Sequence, residues 1–425
     1  MLDIRFIREN PETVKKGILS KNEKGDVDLL LSLDEKRRLL IYKVEELKKE
    51  RNENSKLVSV YMKEKKDASE IIERTKSISE QIKAMDSQIA DLDKAIFDEL
   101  SKIPNMPHST TPIGKDATEN AEVKTWGEKP EYDFKVLNHV ELGERLNILD
   151  FPRGGKVTGS GFPVYKGAGA TLERALINFM IDFHLKNHNY TEIFPPFMAN
   201  RDSMFGTGQL PKLADDMYYC EKDELFLIPT AEVPVTNLYR DEILMGDLLP
   251  LKYVAYSACF RREAGSYGRE TRGFLRVHQF NKVEMVNFVH PDDSERVHEN
   301  LLNEATEILE ALNIPYRVLL LCSGDLSFAA AKCYDIETWS PAEVKWLEAS
   351  SVSNFMEFQA RRANIRFRPE KGAKPQFVHT LNGSGLATSR LMVSLLECNQ
   401  TDEGTILIPE ILIPYMHGQT VIKRK

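Results

Sequence analysis

Arginines, glycines and aromatic residues crowd the stretch FRREAGSYGRETRGFLRVHQFNKVE, which runs from Phe260 to Glu284. Arg261 and Glu263 stand two residues apart, so on an extended strand both side chains project from one face. Guanidinium groups match phosphate oxygens, and an aromatic ring offers a stacking surface for a base. We therefore predict a strand, an arginine-rich loop and a second strand that together hold a nucleotide.

Two neighbouring features support this prediction. On the arginine's face the first strand carries the small residues Ala255, Ser257 and Cys259, which leaves room for a ligand. The loop surrounds one aromatic residue, Phe274, with three more arginines: Arg269, Arg272 and Arg276. The alternative is a charged hairpin that only solvates itself, but such hairpins rarely concentrate five arginines and three glycines.

This stretch resembles motif 2 of the class II aminoacyl-tRNA synthetases, in the form typical of the seryl-tRNA synthetase family. The chain has Arg262 where the family usually has serine; on a strand Arg262 faces away from Arg261, so we expect little effect on chemistry. The resemblance, which extends over essentially the whole chain, implies an α+β fold. An antiparallel sheet flanked by helices would form the catalytic domain, after an N-terminal coiled-coil hairpin. It also implies that L-serine is activated with ATP and transferred to tRNA-Ser, and leaves tRNA-Sec open.

The resemblance assigns a serine site. In LIPTAE, Thr230 and Glu232 place a hydroxyl beside a carboxylate, which suits an ammonium group, although Thr-x-Glu alone is common. Glu284 lies in an apolar run, where a structural pair with a neighbouring Lys or Arg is the alternative. The residues implied to contact serine are Thr230, Ala231, Glu232, Arg261, Glu284, Asn382 and Ser384.

ATP and Mg²⁺ are implied by the same resemblance. Glu348 and Ser351 would hold Mg²⁺, because hard oxygen ligands suit a metal that bridges phosphates; a polar strand end is the alternative. Phe274 and Arg390 would enclose the adenine, and Arg261, Glu263 and Arg390 would be the catalytic residues. The implied ATP contacts are Arg261, Arg262, Glu263, Phe274, Val277, Glu348, Ala349, Ser350, Ser351 and Arg390.

Three further stretches complete the predicted catalytic part. LNGSGLATSR, from Leu381 to Arg390, predicts a glycine turn that enters a helix, and it resembles motif 3. FGTGQLPK, from Phe205, predicts a mobile loop of open role. His278 is expected to be structural. The predicted strands are Phe226–Thr230, Val254–Arg261, Val277–Val289, Tyr316–Cys322 and Glu348–Ser353.

A helical hairpin is predicted before the catalytic part, because seam positions recur at spacings of three and four. The break lies at residues 62–66, and Asp67 with Glu70 fits a capping box. Helices of about 33 residues would project roughly 50 Å. The first seam comprises Leu33, Arg37, Leu40, Val44, Leu47, Arg51, Asn54, Val58 and Tyr61. The second comprises Ile71, Thr75, Ile78, Ile82, Met85, Ile89, Leu92 and Ile96.

Charge differs between the two helices of this arm. Residues 34–66 hold 11 Lys/Arg and 7 Asp/Glu, whereas residues 67–100 hold 4 and 9. Such runs usually form solvated coiled-coil faces. The family resemblance instead implies that the arm binds the long variable arm of tRNA-Ser through backbone and shape. The implied contacts are Arg51, Lys56, Lys63, Lys65 and Lys66.

The prolines after Ile103 predict a linker, so we expect an N-terminal tRNA-binding domain at residues 1–103 and a catalytic domain at 104–425. The helix Thr171–Lys186 and the following NYTEIFPPFM resemble motif 1, which implies a homodimer. Asn189 replaces the family's usual glycine and tolerates the same left-handed backbone.

Composition narrows the classes of protein. The 425 residues suffice for two or three domains, and the net charge of −8 excludes a generally basic nucleic-acid binder. Five cysteines without a CxxC pair favour a reduced, cytoplasmic compartment and argue against structural zinc. We expect no membrane partner, because no signal peptide or long apolar span is present. No GxxxxGK[ST] loop occurs, which fits the resemblance, because that resemblance implies a nucleotide lying on the antiparallel sheet.

Three rival functions stay open at this point. Class II enzymes for threonine, proline or histidine carry a further domain after motif 3, whereas only 35 residues follow Arg390 here. An amino acid:carrier-protein ligase would lack the helical arm. A non-catalytic paralogue would not need Arg261, Glu284, Glu348 and Arg390, all of which are present.

Overall fold

The computed structural model describes residues 1–264 and 273–424, and the chain forms two compact units. The first comprises Met1–Leu19 with Glu23–Pro104, and the second comprises Ser20–Asn22 with Asn105–Lys425. In the described ranges every helix falls short of the length and apolar character needed to cross a membrane.

The first unit is helical, and its long hairpin confirms the predicted coiled coil. Ion pairs join Arg37 to Asp93 and Glu50 to Arg74, so the two long helices run antiparallel. Every predicted seam position is buried or half-buried, because the three-four spacing keeps one face toward the partner helix. The helices are α1 (Ile4–Glu9), α2 (Pro11–Ser20), α3 (Val27–Lys63) and α4 (Ser69–Ser101).

The predicted capping box at the start of α4 is wrong. Asp67 accepts a hydrogen bond from the backbone N–H of Ser69 at 2.9 Å and another from its hydroxyl at 2.6 Å. The residue that precedes the helix is Ala68, which offers no side-chain cap. The helix therefore begins one residue later than a capping box of Asp67 with Glu70 requires, and Asp67 instead closes the turn that precedes it.

Within its described residues, the second unit combines sixteen strands with eight α-helices. The strands are β1 (Ala121–Trp126), β2 (Thr191–Glu192), β3 (Met198–Asn200), β4 (Tyr219–Cys220), β5 (Leu225–Leu227), β6 (Ile243–Met245), β7 (Leu251–Phe260), β8 (Gln279–Val289), β9 (Tyr316–Leu320), β10 (Lys332–Ser340), β11 (Lys345–Met356), β12 (Arg366–Arg368), β13 (Gln376–Phe377), β14 (His379–Ala387), β15 (Ile406–Leu407) and β16 (Val421–Ile422). The helices are α5 (His139–Arg145), α6 (Phe151–Thr158), α7 (Ala168–His188), α8 (Arg201–Gly206), α9 (Glu232–Thr236), α10 (Ser294–Ala311), α11 (Phe358–Ala363) and α12 (Thr388–Cys398).

One eight-stranded sheet carries the fold, in the order β1-β9-β10-β11-β14-β8-β7-β2. Neighbouring strands are antiparallel except for β2, which runs parallel to β7. The α+β prediction is thus confirmed. All five predicted strand segments contain a strand, whereas β1, β10 and β14 of the large sheet lie outside those segments.

Side chains of the central strand β8 divide between two environments. Val283 and Met285 join a large core with residues of α7, α10 and α12. Lys282 and Glu284 project from the other face, because side chains alternate along a strand. That alternation leaves the second face of the sheet for a polar site.

The predicted glycine turn before Arg390 is wrong. Leu381 to Leu386 lie in the buried strand β14, and the helix starts only at Thr388. A Cβ added at Gly385 would lie 2.5 Å from the His184 ring, so a neighbouring side chain explains this glycine. Such close packing is set by α7, far away in sequence.

Candidate active site

A cleft of about 960 Å³ lies on the polar face of the sheet. Most of the predicted substrate residues line it: Thr230, Glu232, Arg261, Glu263, Phe274, Val277, Glu284, Glu348, Ala349, Ser350, Ser351, Asn382, Ser384 and Arg390. Ala231 is fully buried in a neighbouring core cluster. Arg262 is exposed and is not among the described lining residues. The cleft thus gathers residues that lie far apart in the sequence.

A hydrogen-bonded triangle forms the floor at one end of the cleft. Lys282 Nζ donates to Thr230 Oγ1 at 2.9 Å and forms an ion pair with Glu284. The Thr230 hydroxyl donates to Glu284 Oε2 at 3.1 Å and accepts the Glu232 N–H at 3.1 Å. All three sites of that hydroxyl are therefore used. The expected structural pair for Glu284 exists, and its partner also belongs to the cleft.

Glu232 stands beside this triangle at the start of α9. Gln359 Nε2 donates to Glu232 Oε1 at 2.6 Å and to the Thr207 carbonyl at 3.1 Å. Thr380 holds the amide oxygen of Gln359 at 2.7 Å, so the Glu232 carboxylate has a fixed direction. Burial raises the pKa of Glu232 to about 7, and the charge of Glu284 adds to the rise. A carboxylate in this setting gains by receiving a cation.

Asn382 and Ser384 line the same end from β14. The Nδ2 atom of Asn382 is buried and has no hydrogen bond of normal geometry within the described residues, although the Asn382 side chain interacts with the Glu232 carboxylate and lowers its pKa. Ser384 stands directly opposite Glu284 in the strand register, and its carbonyl accepts a 2.7 Å bond from Ser350. An unpaired buried amide is costly unless a ligand supplies an acceptor. This end can bind a small polar molecule that has both charges.

The two ends of the motif 2 strands are joined by their backbones. The Arg261 N–H donates to the His278 carbonyl at 2.9 Å, and the His278 ring lies 2.9 Å from the Arg261 carbonyl. Glu263 forms an ion pair with Arg276. His278 thus has the structural position expected of it, and it fixes the arginine at the cleft. The predicted loop arginines Arg269 and Arg272 lie outside the described residues.

Phe274 cannot provide the predicted stacking surface, because it is only 1% exposed. Its ring stacks on Tyr165 and His139 and meets the edge of Phe151. Phe280 lines the cleft instead, with the Arg261 guanidinium 5.2 Å from its ring centre. The sequence could have indicated Phe280, because side chains alternate along a strand and Phe280 therefore shares a face with Lys282 and Glu284.

Arg390 and Glu348 meet across the cleft wall. Arg390 Nη1 donates to the Glu348 carbonyl at 2.8 Å and lies 3.2 Å from its carboxylate. Ser351 Oγ is 3.4 Å from the same carboxylate. The described residues contain no group of three or more His, Cys, Asp and Glu that could hold a metal. Mg²⁺ commonly takes one or two carboxylates and completes its shell with water and phosphates, so this pair fits a nucleotide-borne metal.

The segment FGTGQLPK is anchored, contrary to its predicted mobility. Arg362 donates to the carbonyls of Phe205 at 2.7 Å and Leu210 at 2.6 Å, and its guanidinium covers the Phe205 ring. Thr207 and Gln209 line the cleft as a result. No local pattern could reveal this, because Arg362 is about 150 residues away in sequence.

The basic residues of the helical unit occupy two kinds of position. Lys56, Lys63, Lys65 and Lys66 are exposed, and Lys66 pairs with Glu64 at 2.7 Å. Arg51 is half-buried on the α3 seam. The helices therefore present a basic exposed group near the turn, with Arg51 closer to the helix contact.

Comparisons with known proteins agree over the whole length. The seryl-tRNA synthetase N-terminal domain matches residues 1–107, and the class II tRNA synthetase core domain (G, H, P, S and T) matches residues 218–399. A serine–tRNA ligase of Chlorobium luteolum is 56% identical over 423 residues, 98% of each chain. The Pyrococcus horikoshii seryl-tRNA synthetase with ATP has a TM-score of 0.95 at 38% identity, covering 100% of both chains. The Naegleria fowleri enzyme with AMP has a TM-score of 0.89 at 29% identity, covering 100% of this chain and 99% of its own.

Proposed function

The chain belongs to the seryl-tRNA synthetase family, and we propose that the cleft described above is where it performs both steps of that family's reaction. The protein is a serine–tRNA ligase: it activates L-serine with ATP to seryl-adenylate and transfers serine to tRNA-Ser. The observation that carries the site assignment is the buried floor of Thr230, Lys282 and Glu284 beside Glu232 and Arg261. tRNA-Sec is a further RNA to test in the same charging assay.

Serine binds at the end of the cleft that holds the two buried glutamates. The Glu232 carboxylate receives the ammonium group, and Thr230 holds the Glu232 backbone in place. Glu284, Asn382 and Ser384 surround the side-chain hydroxyl. A site with buried polar groups rejects an analogue that leaves them unpaired, so alanine should be excluded by roughly 10⁴.

ATP binds beside serine along the same face of the sheet. Arg261 neutralises the α-phosphate and the attacking carboxylate, while Phe280 and Arg390 enclose the adenine. The serine carboxylate attacks the α-phosphorus, and pyrophosphate leaves with the electron pair of the broken P–O bond. The attacking group is already an anion, so the protein supplies positioning and charge neutralisation and needs no general base.

Mg²⁺ is proposed at Glu348 and Ser351, where one carboxylate and one hydroxyl face the nucleotide end of the cleft. When bound, the metal would neutralise phosphate charge. Arg390 donates a hydrogen bond to the Glu348 carbonyl, which holds its guanidinium beside the proposed Mg²⁺ position. In Glu348→Gln, the Mg²⁺ concentration that gives half-maximal exchange should rise severalfold, whereas the KM for serine should stay near the wild-type value.

The helical unit is proposed as the tRNA-binding domain, residues 1–103, and residues 104–425 as the catalytic domain. Deleting residues 30–100 should abolish tRNA charging and leave serine activation. A truncated protein that charges tRNA normally would contradict this assignment. The contact would be electrostatic, so it should weaken as salt rises.

A twofold homodimer is also proposed. The motif 1 helix α7 and the segment after it would form the interface, and Phe194 in that segment is 75% exposed. Large exposed aromatic residues are common at such interfaces. Light scattering at micromolar concentration should give a mass near twice 48.6 kDa, and a monomer mass would overturn the proposal.

The serine assignment is tested by Glu284→Ala. We expect the KM for serine in ATP–pyrophosphate exchange to rise at least tenfold, with the KM for ATP nearly unchanged, because Glu284 faces only the serine end. Glu304→Ala is the matched control, since this glutamate pairs with Lys252 at 2.6 Å. Equal changes in both KM values would show that the substitution disturbs the whole cleft.

A further inference from the structure

Lys282 is a buried cation in the proposed serine site. Its side chain is 8% exposed, and that of its partner Glu284 is 2% exposed. In the register of the sheet Lys282 stands between Ser257 of β7 and Ala387 of β14, both small and uncharged. A lysine is rarely buried without a specific partner, because desolvating an ammonium group is costly.

The charged and titratable groups around Lys282 come from three elements. Glu284 lies on its own strand, Glu232 comes from α9, and Cys259 and Arg261 come from β7 and its end. Burial and the neighbouring Glu284 raise the pKa of Glu232, whereas Lys282 acts in the opposite direction. Burial also raises the pKa of the Cys259 thiol, so the thiol adds no charge at neutral pH.

Two glutamates and one lysine leave one negative charge at the serine end of the cleft. With Lys282 present, its charge balances that of Glu284 in the ion pair, and Glu232 can receive the ammonium group of the substrate. Without it, two carboxylates would share a dry site, and one of them would take up a proton. The hydroxyl of Thr230 links the three groups, because it accepts from Lys282 and donates to Glu284.

We propose that Lys282 is a positioning residue that pairs with Glu284, fixes it toward the serine hydroxyl, and thereby reserves Glu232 for the ammonium group. This role rests on the proposed serine site and deepens it. Lys282 would act through Glu284 and Thr230 without touching the reacting atoms. Serine affinity would then depend on the charge of Lys282, although Lys282 itself does not contact serine.

The test uses Lys282→Met, which keeps the length of the side chain and removes its charge. The KM for serine and the KM for ATP are measured by ATP–pyrophosphate exchange between about pH 6 and pH 9. We expect the serine KM to rise at least tenfold with the ATP KM within about twofold. In the wild type the serine KM rises as the pH falls, because Glu232 becomes protonated; in Lys282→Met that rise should begin about one pH unit higher.

Two further variants separate charge from shape. Lys282→Arg keeps the charge and should recover part of the serine affinity. The double variant Lys282→Met/Glu284→Gln removes both charges, so the pH at which the serine KM rises should return toward the wild-type value. It also keeps the test usable if Lys282→Met alone does not fold, since Glu284 is no longer left as a buried charge without its lysine partner.

Lys252→Met is the matched control, because Lys252 of β7 forms a half-buried ion pair with Glu304 of α10, away from the cleft. It should lower the melting temperature and leave the serine KM unchanged. An unchanged serine KM and pH profile in Lys282→Met, or the same pH shift in the single and double variants, would overturn the proposal. Failure of the proposed function is a different result, namely no serine-dependent exchange in the wild type.

Discussion

The cleft and the helical arm differ in what they bury: the cleft buries polar and charged side chains, whereas the arm buries an apolar seam and exposes its charges. In the cleft, Lys282, Glu284 and Gln359 are buried and each has fixed partners. In the arm, the apolar seam is buried, while most of the charged side chains are exposed. A buried polar network loses its function when one member is removed, whereas exposed charges act almost independently. Substitutions should therefore act abruptly in the cleft and gradually on the arm.

The largest effect is expected for Arg261→Ala. Removing a guanidinium aimed at developing charge should reduce pyrophosphate exchange by about 10³-fold, close to abolition. Arg262→Ala is the adjacent control, because Arg262 is exposed and outside the described lining of the cleft. Exchange assays on both variants compare them directly. Near-normal exchange in Arg261→Ala would refute its role at the α-phosphate.

Two phenylalanines near the cleft are expected to have different roles: Phe274 contributes to stability, and Phe280 contributes to ATP binding. Phe274→Ala should lower the free energy of unfolding by about 3–5 kcal/mol, because the ring is buried among three aromatic neighbours. Phe280→Ala should instead raise the KM for ATP severalfold and change stability less. Chemical denaturation and exchange kinetics measure the two outcomes. The opposite pattern would restore Phe274 as the adenine contact.

Glu232→Gln should separate stability from activity. Because burial raises the pKa of Glu232 from 4.5 to about 7, its contribution to stability is complete below about pH 4.5 and is lost as the pH rises through about 7. Glutamine does not titrate, so at about pH 8 the variant should be more stable by on the order of 3 kcal/mol. Its serine KM should rise roughly 10- to 100-fold. Denaturation at two pH values tests the first expectation, and an equal stability difference at both would contradict it.

The smallest effects should come from single lysines on the arm. Lys65→Ala should raise the KM for tRNA only a few-fold, and less as salt increases, because one exposed phosphate contact is lost. Pyrophosphate exchange without tRNA should not change. Lys76→Ala on α4 is the control, since it changes an exposed lysine on the acidic helix. A loss of pyrophosphate exchange in Lys65→Ala would contradict the expectation that single lysines of the arm do not contribute to serine activation.

The sequence predicts the arm well because its signal is local. Seam positions such as Val44 and Ile78 recur at a fixed spacing, and that spacing alone decides which side chains the hairpin buries. The antiparallel sheet was predictable from its strand segments and from the family resemblance. The start of α4 was not, because residue type favours Asp67 as the cap, whereas the residue that precedes the helix is Ala68.

In the cleft the predictions failed where distant packing decides. Before Arg390, Gly385 packs against His184 of α7 and Gly383 against Val352 of β11, and Gln359 and Arg362 support the site from α11. Phe274 was assigned by residue type, whereas strand parity points to Phe280. Residue types thus indicate which functional groups a site needs, whereas the fold determines which residue of each type reaches the site.

Serine-dependent ATP–pyrophosphate exchange without tRNA tests the central claim most directly, with threonine, alanine and glycine as controls. We expect exchange with serine and at most trace exchange with the other three. Alanine and glycine lack the hydroxyl that Glu284, Asn382 and Ser384 would bind, and threonine is too large for their pocket. Exchange with no amino acid, or equal exchange with alanine, would contradict the assignment of this cleft as a serine-activating site.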